Sequence, residues 1–167
     1  MNLLSLKPVF KDEDLLKEFN LEQINDFYKI FVNDFIDNPV VINGKKIKIA
    51  PVNSRIKEFN EYNESFVHVI TRDTSKGRIY NADRANRIHW IKPILENSES
   101  KSILYFKWID ENNVCKEHFW FFKRDFIVVL KPISSDLMLV TAFCVDKDEK
   151  EKFYEKFKDF KDGNGTC

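Results

Sequence analysis

Residues 102–145, SILYFKWIDENNVCKEHFWFFKRDFIVVLKPISSDLMLVTAFCV, decide the fold. Four runs in this stretch are rich in β-branched and aromatic residues: SILYFKWI, VCKEHFWFF, FIVVL and LMLVTAFCV. The turn sequences DENN, KRD and KPISSD separate them. Strand-like runs joined by short polar turns predict a four-stranded antiparallel meander. FIVVL and LMLVTAFCV are apolar on both faces, so they belong at the centre of the sheet. Downstream, Asp146 with Glu149 three residues on predicts a capped final helix. Its Phe153, Phe157 and Phe160 share one face, and GNGTC reads as a frayed tail.

Upstream of the meander the period changes. Leu15, Leu16 and Phe19 suggest a short first helix. Asn20 and Gln23 read as a capping box for a second, in which Ile24, Phe27, Tyr28, Phe31, Val32, Phe35 and Ile36 recur at helical spacing until Asn38-Pro39 stops it. Asn43-Gly44 between β-branched residues is a hairpin signal, because both turn positions need positive φ. Residues 52–65 read as a loop or short helix. Residues 66–72 alternate as a strand with Phe66, His68, Ile70 and Arg72 on one face. A loop over residues 73–80 follows, then a helix capped by Asn81 that Pro93 ends or kinks near Ile91. The class is α+β: N-terminal helices, a central helix, a four-stranded antiparallel meander sheet with helices on one face, and a C-terminal helix. One domain spans residues 1–167, with a helical part over 1–38, a hairpin and loop over 39–65, a strand–helix–meander–helix core over 66–160 and a flexible tail over 161–167.

Sixteen Phe among 43% hydrophobic residues supply the core, and four Gly with five Pro argue against disorder. The 27 basic residues balance 27 acidic ones, so any electrostatic case for a nucleic-acid partner must be local. Cys115, Cys144 and Cys167 show no metal-ligand spacing. Cys115 and Cys144 are expected as small buried hydrophobes, and an odd count without a framework points to a reducing compartment. The start MNLLSLKPVF is too short and too weakly basic for a signal peptide, and no run approaches the roughly 20 apolar residues of a membrane span. A cytoplasmic protein without a membrane partner is the expectation.

The local case lies in residues 66–96, FVHVITRDTSKGRIYNADRANRIHWIKPILE. His68, His89 and four of the six arginines (Arg72, Arg78, Arg84, Arg87) fall here, on a surface otherwise built from lysine. Arginine offers a planar fork that grips phosphate or carboxylate with two bonds. His68 and Arg72 share a face and reach one anion, or His68 is a core histidine bonded to backbone. Arg84 and Arg87 are neighbours at i and i+3. Arg84 in the first helical turn opposes the macrodipole unless an anion is shared there. The competing account, an Asp83–Arg87 ion pair, leaves Arg84 unexplained. Trp90 either stacks on the Arg87 guanidinium or a base, or anchors the core. Arg72, Arg78, Trp90, Lys92 and His118 are candidate RNA contacts. Thr141, the hydroxyl within LMLVTAFCV, needs a partner: a backbone group or a ligand.

There is no metal motif, no glycine-rich phosphate loop and no Ser-His-Asp pattern, and no cofactor is expected. His, Arg and a hydroxyl together are the toolkit of metal-independent RNA cleavage. A base takes the ribose 2′-OH proton, cations stabilise the phosphorane, and an acid protonates the leaving 5′ oxygen.

From residue 66 to the final helix, FVHVITR, RANRIHW and LVTAF come in an order that resembles the barnase–EndoU–colicin–RelE-like ribonuclease superfamily. Many of its members are toxins of toxin–antitoxin, phage-defence or contact-inhibition systems. The resemblance implies His68 as acid or base, Arg84 and Arg87 as phosphate grips, and Thr141 as the hydroxyl of the last strand. Phe143 stands where related sequences often carry tyrosine, so no tyrosine hydroxyl acts there. It implies a growth-inhibiting endoribonuclease with RNA (tRNA or mRNA) as substrate and a protein antitoxin or inhibitor as partner. The alternative is a non-catalytic module whose Arg/His face binds RNA, a nucleotide or an acidic protein.

Overall fold

A computed structural model describes residues Met1–Cys167. No helix forms over 15–19. Leu15 is buried in an irregular segment while Leu16 and Phe19 are exposed. Helix α1 (Leu21–Val32) begins where Asn20 accepts the Gln23 amide, and it buries Ile24, Phe27 and Phe31. Only half of the capping box forms: the Gln23 side chain turns outward to bond Asp14 O and Leu16 N. A π-turn over Asn33–Asp37 adds Phe35 to the core before Asn38-Pro39.

Strands β1 (Val41–Ile42) and β2 (Lys45–Lys48) form the expected hairpin, with Asn43 and Gly44 at φ of 49° and 77°. Residues 66–72 depart from expectation. Helix α2 (Glu64–Ile70) takes the place of the strand, and the following loop is a hairpin of β3 (Thr71–Thr74) and β4 (Gly77–Tyr80). Buried Asn63 caps α2 through Ser65 N and holds Ala50 O with its amide. Phe66, Val67, Val69 and Ile70 are all fully buried, so alternation carried no information about the local period. Phe66 meets Tyr28 and Phe31 of α1 at ring separations of 4.7 and 5.4 Å.

The central helix is broken into α3 (Ala82–Ala85), a 3₁₀ turn (Ile88–Trp90) and α4 (Ile91–Glu96). Asn81 caps α3 as expected by accepting the Arg84 amide. Pro93 does not end the helix; it lies in the first turn of α4, where its missing N–H has no intrahelical partner to lose.

Strands β5 (Ile103–Ile109), β6 (Cys115–Phe121), β7 (Phe126–Ile133) and β8 (Asp136–Cys144) follow in antiparallel succession. The sheet is not four-stranded and antiparallel but six-stranded and mixed, in the order β1-β2-β8-β7-β6-β5. β2 pairs in parallel with β8, Ile47 opposite Leu137, and the Lys46 amide donates to Asp136. Both faces are covered. The elements before β5 pack on Phe119, Phe121, Phe126, Val128, Leu130 and Leu139. On the other face helix α5 (Lys147–Lys161) lays Phe153, Phe157 and Phe160 over Phe106, Trp120, Ile127 and Val129. That explains why β7 is apolar at successive positions.

Two expectations about the chain's later part fail. Asp146 precedes α5 but makes no capping bond to its amides. Cys115 is not a free buried thiol: it is bonded to Cys167, leaving Cys144 as the free cysteine and pinning the expected frayed tail to the sheet. The argument for a reducing compartment from unpaired cysteines therefore loses its premise. No helix is long and apolar enough to cross a membrane.

Candidate anion-binding site

Helix α2 ends against the edge of β8, beyond the point where β2 pairs with it. Its terminal carbonyls lack intrahelical amides, and side chains from three other elements serve them. Thr141 Oγ1 donates to His68 O at 3.1 Å. Arg78 donates from Nη2 to His68 O and Thr71 O at 3.2 and 3.1 Å, and from Nε to Thr71 Oγ1 at 2.9 Å. Arg84 Nη1 donates to Thr71 O at 2.6 Å. Buried Thr71 passes its own proton to Val67 O. The guanidiniums thus sit at the negative end of a helix, which resolves the unfavourable placement of Arg84 in its own short helix.

Thr141 reaches this position through a bulge. Val140 is an extra residue between the pairs Leu130↔Leu139 and Val129↔Thr141. Leu137 and Leu139 stay in the main core, whereas Thr141 and Phe143 turn to the face covered by α5. Strict strand alternation would put Thr141 on one face with Leu137 and Leu139; the bulge breaks it there.

Two cavities open beside this junction. One, of about 290 Å³, is lined by Glu64, His68, Lys131 and the β8 segment Met138, Leu139 and Val140. The His68 ring lies 4.0 Å from Glu64. Burial, then the charges of Arg78 and Lys131, hold its pKa below the usual value, which favours the neutral ring. The other cavity, of about 420 Å³, is lined by Arg72 and Arg84 with Asn81, Phe143 and Cys144, and rimmed by Asp73, Asp83, Asp146 and Glu149. Arg84 lies over the Phe143 ring at 5.6 Å. Burial, followed by repulsion from Arg78, lowers its pKa to about 10. The six ion pairs within 4.0 Å all use Lys or His, and none uses an arginine. Arg72, Arg78 and Arg84 are therefore gathered without a paired carboxylate.

His68, Arg78, Arg84 and Thr141 meet at this junction. They do not form one concave surface, because the His68 ring and the Arg72–Arg84 pair line different cavities. His68 comes from a helix and not a strand, so it shares no strand face with Arg72. Arg87 lines neither cavity: it donates to Asp83 O at 2.8 Å and lies 5.3 Å over Trp90, while the Asp83 carboxylate pairs with Lys17. Trp90 is 3% exposed, bonds Lys7 O and packs edge-on against Phe121 and Phe126; it is a core anchor and no stacking platform for a base. Lys92 bonds Asn38 O and pairs with Glu96 on α4. His118 stacks flat on Phe106 at 4.5 Å, two strands from Thr141. The residues missed from sequence are Thr71, Asn81 as a cavity wall and the four rim carboxylates. Asn81 and the Asp146/Glu149 pair carried a signal as helix starts, and Asp83 as a possible partner of Arg87.

No protein family, curated protein or solved structure matches this chain.

Proposed function

We propose that the junction of α2 and β8 binds the phosphodiester of single-stranded RNA, and that the chain is a metal-independent, growth-inhibiting endoribonuclease. The observation that carries this reading is the gathering of Arg72, Arg78 and Arg84 with no carboxylate within 4.0 Å of any of them, although four line the Arg72–Arg84 cavity, beside the His68 imidazole. Arg84 and Arg72 hold the phosphate oxygens, and Arg78 and Thr141 fix the helix end that carries His68. Neutral His68 takes the 2′-OH proton, the 2′ oxygen attacks phosphorus, and the 5′ oxygen leaves with a proton from water. The product is a 2′,3′-cyclic phosphate. A second reading, anion binding without turnover, is favoured by the separation of the His68 ring from the Arg72–Arg84 cavity.

The test is incubation of purified protein with end-labelled RNA in EDTA, alongside growth of cells expressing it. Cleavage to a cyclic phosphate is expected. Arg84→Ala should lose about 10²–10³ in rate, as for removal of one donor to a developing oxyanion. Arg84→Lys should rescue only in part, because the two-pronged contact is gone. Arg87→Ala should have a small effect, since its guanidinium is bonded to Asp83 O and lies over Trp90. Binding that depends on Arg84 with no cleavage selects the second reading. Undiminished cleavage and growth arrest by Arg84→Ala and His68→Ala at equal soluble expression remove the site.

A further inference from the structure

We propose that a groove along α1 docks a basic amphipathic helix of a partner protein, at a site separate from the arginine cavity. The core side of α1 is Ile24, Phe27 and Phe31. Beside it Leu21, Asn25, Tyr28 and Val32 form a second stripe at helical spacing, which Ile36 of the π-turn extends. Tyr28 and Val32 line a third cavity, of about 620 Å³, whose opposite wall is Glu61 and Tyr62. The Tyr62 hydroxyl donates to Asn25, and its ring stands edge-on to Tyr28 at 5.0 Å, so the floor is fixed within the protein. At one end Leu21 and Phe19 are 55% and 44% exposed, and Phe19 meets Phe59 of the opposite wall at 5.6 Å. At the other end Ile36 is 48% exposed. From Leu21 to Ile36 the groove runs about 20 Å, nearly four helical turns.

The irregular segment ahead of α1 is anchored. Leu15 is buried, and the Gln23 side chain bonds Asp14 O and Leu16 N. Apolar side chains presented on a fixed backbone lose little entropy when a partner covers them. The charge around the groove selects that partner. Glu18, Glu22, Asp37 and Glu61 are exposed and have no cation within 4.0 Å. Lys29 is the one base among the residues lining the cavity, and Lys57 and Glu58 on the opposite wall offset each other. This rim repels the phosphates of RNA and an anionic bilayer, and it attracts lysines and arginines that flank an apolar stripe. A helix with apolar side chains at i, i+3, i+4 and i+7 matches the stripe on α1 in period and length.

The probes are two fluorescein-labelled peptides of about 18 residues with the same leucine stripe, one flanked by lysines and the other by glutamates. The lysine peptide should bind the intact chain about tenfold more tightly than the glutamate peptide, and more weakly as salt rises. Amide NMR shifts that it causes should fall on residues 19–36 and 57–62. The double variant L21S/I36S should lose about tenfold in affinity, with an unchanged thermal midpoint because both side chains are half exposed. The double variant D37K/E61K should reverse the preference and favour the glutamate peptide. The groove is overturned if the lysine peptide fails to bind at about 1 mM, if neither variant alters its binding, or if the shifts lie elsewhere. Binding to phosphatidylserine vesicles that L21S/I36S abolishes would overturn it in favour of a membrane surface.

Discussion

Arg78 satisfies carbonyls at the end of α2 that no helix amide can reach, with two donated bonds, and a third goes to the Thr71 hydroxyl. Its neighbour Arg84 makes one such bond and presents the rest of its fork to a cavity. Two like residues six apart in sequence thus divide into a clamp and a free grip. Histidines divide in the same way. His118, flat against Phe106, has its pKa lowered to about 4, first by burial and then by Lys156. The unfolded chain takes up this proton near the usual 6.5, and the folded chain only near 4. Stability present above pH 6.5 is therefore lost as pH falls through that window, by about 3 kcal/mol in all from this one group. His118→Phe keeps the stacked ring and removes the titration. Urea midpoints measured at pH 7 and pH 4.5 should differ clearly in the parent and much less in the variant.

At the scale of the element, α2 is a helix because of its start and its surroundings. Its β-branched composition suits a strand equally well. Asn63 caps it and bonds Ala50 O through its buried side chain, and its backbone N–H donates to the Tyr28 hydroxyl. Asn20 caps α1 at a less buried site with a single such bond. Asn20→Ala should cost about 1 kcal/mol, the ordinary value of a cap. Asn63→Ala should cost about 2–3 kcal/mol, because a buried carbonyl is left unpaired as well. Chemical denaturation of the two variants reads the difference directly. Equal losses would mean that burial of Phe66, Val69 and Ile70 alone decides the helix.

At the scale of the whole molecule, the mixed sheet separates a large core from a small one, and Trp90 ties the large core together. Its ring packs on β6 and β7 through Phe121 and Phe126, and its indole N–H holds Lys7 O near the start of the chain. Trp90→Ala should cost about 3–5 kcal/mol, the range for truncating a buried aromatic. Trp90→Phe should recover much of that stability, and RNA affinity at a temperature where both are folded should match the parent. A selective loss of RNA affinity in folded Trp90→Phe would return this residue to the binding surface.

The sequence by itself determined the features whose cause lies within a few residues: the four strands over 102–145, the Asn43-Gly44 hairpin, and the Asn20 and Asn81 caps. Tertiary structure decided whatever needed distant partners. β2 joins β8 through Lys46 and Asp136, 90 residues apart, and turns an antiparallel meander into a mixed sheet. A run such as FVHVI, buried at every position but His68, has too little of a polar face to mark its period, so packing against α1 and β8 chose helix over strand. The bulge at Val140 reversed the face of Thr141 without any glycine or proline to announce it. The arginine cluster was visible as composition, but which guanidiniums clamp carbonyls and which face a cavity depended on where α2 ends in space. That end is fixed by contacts with β8, made by a residue 73 positions away.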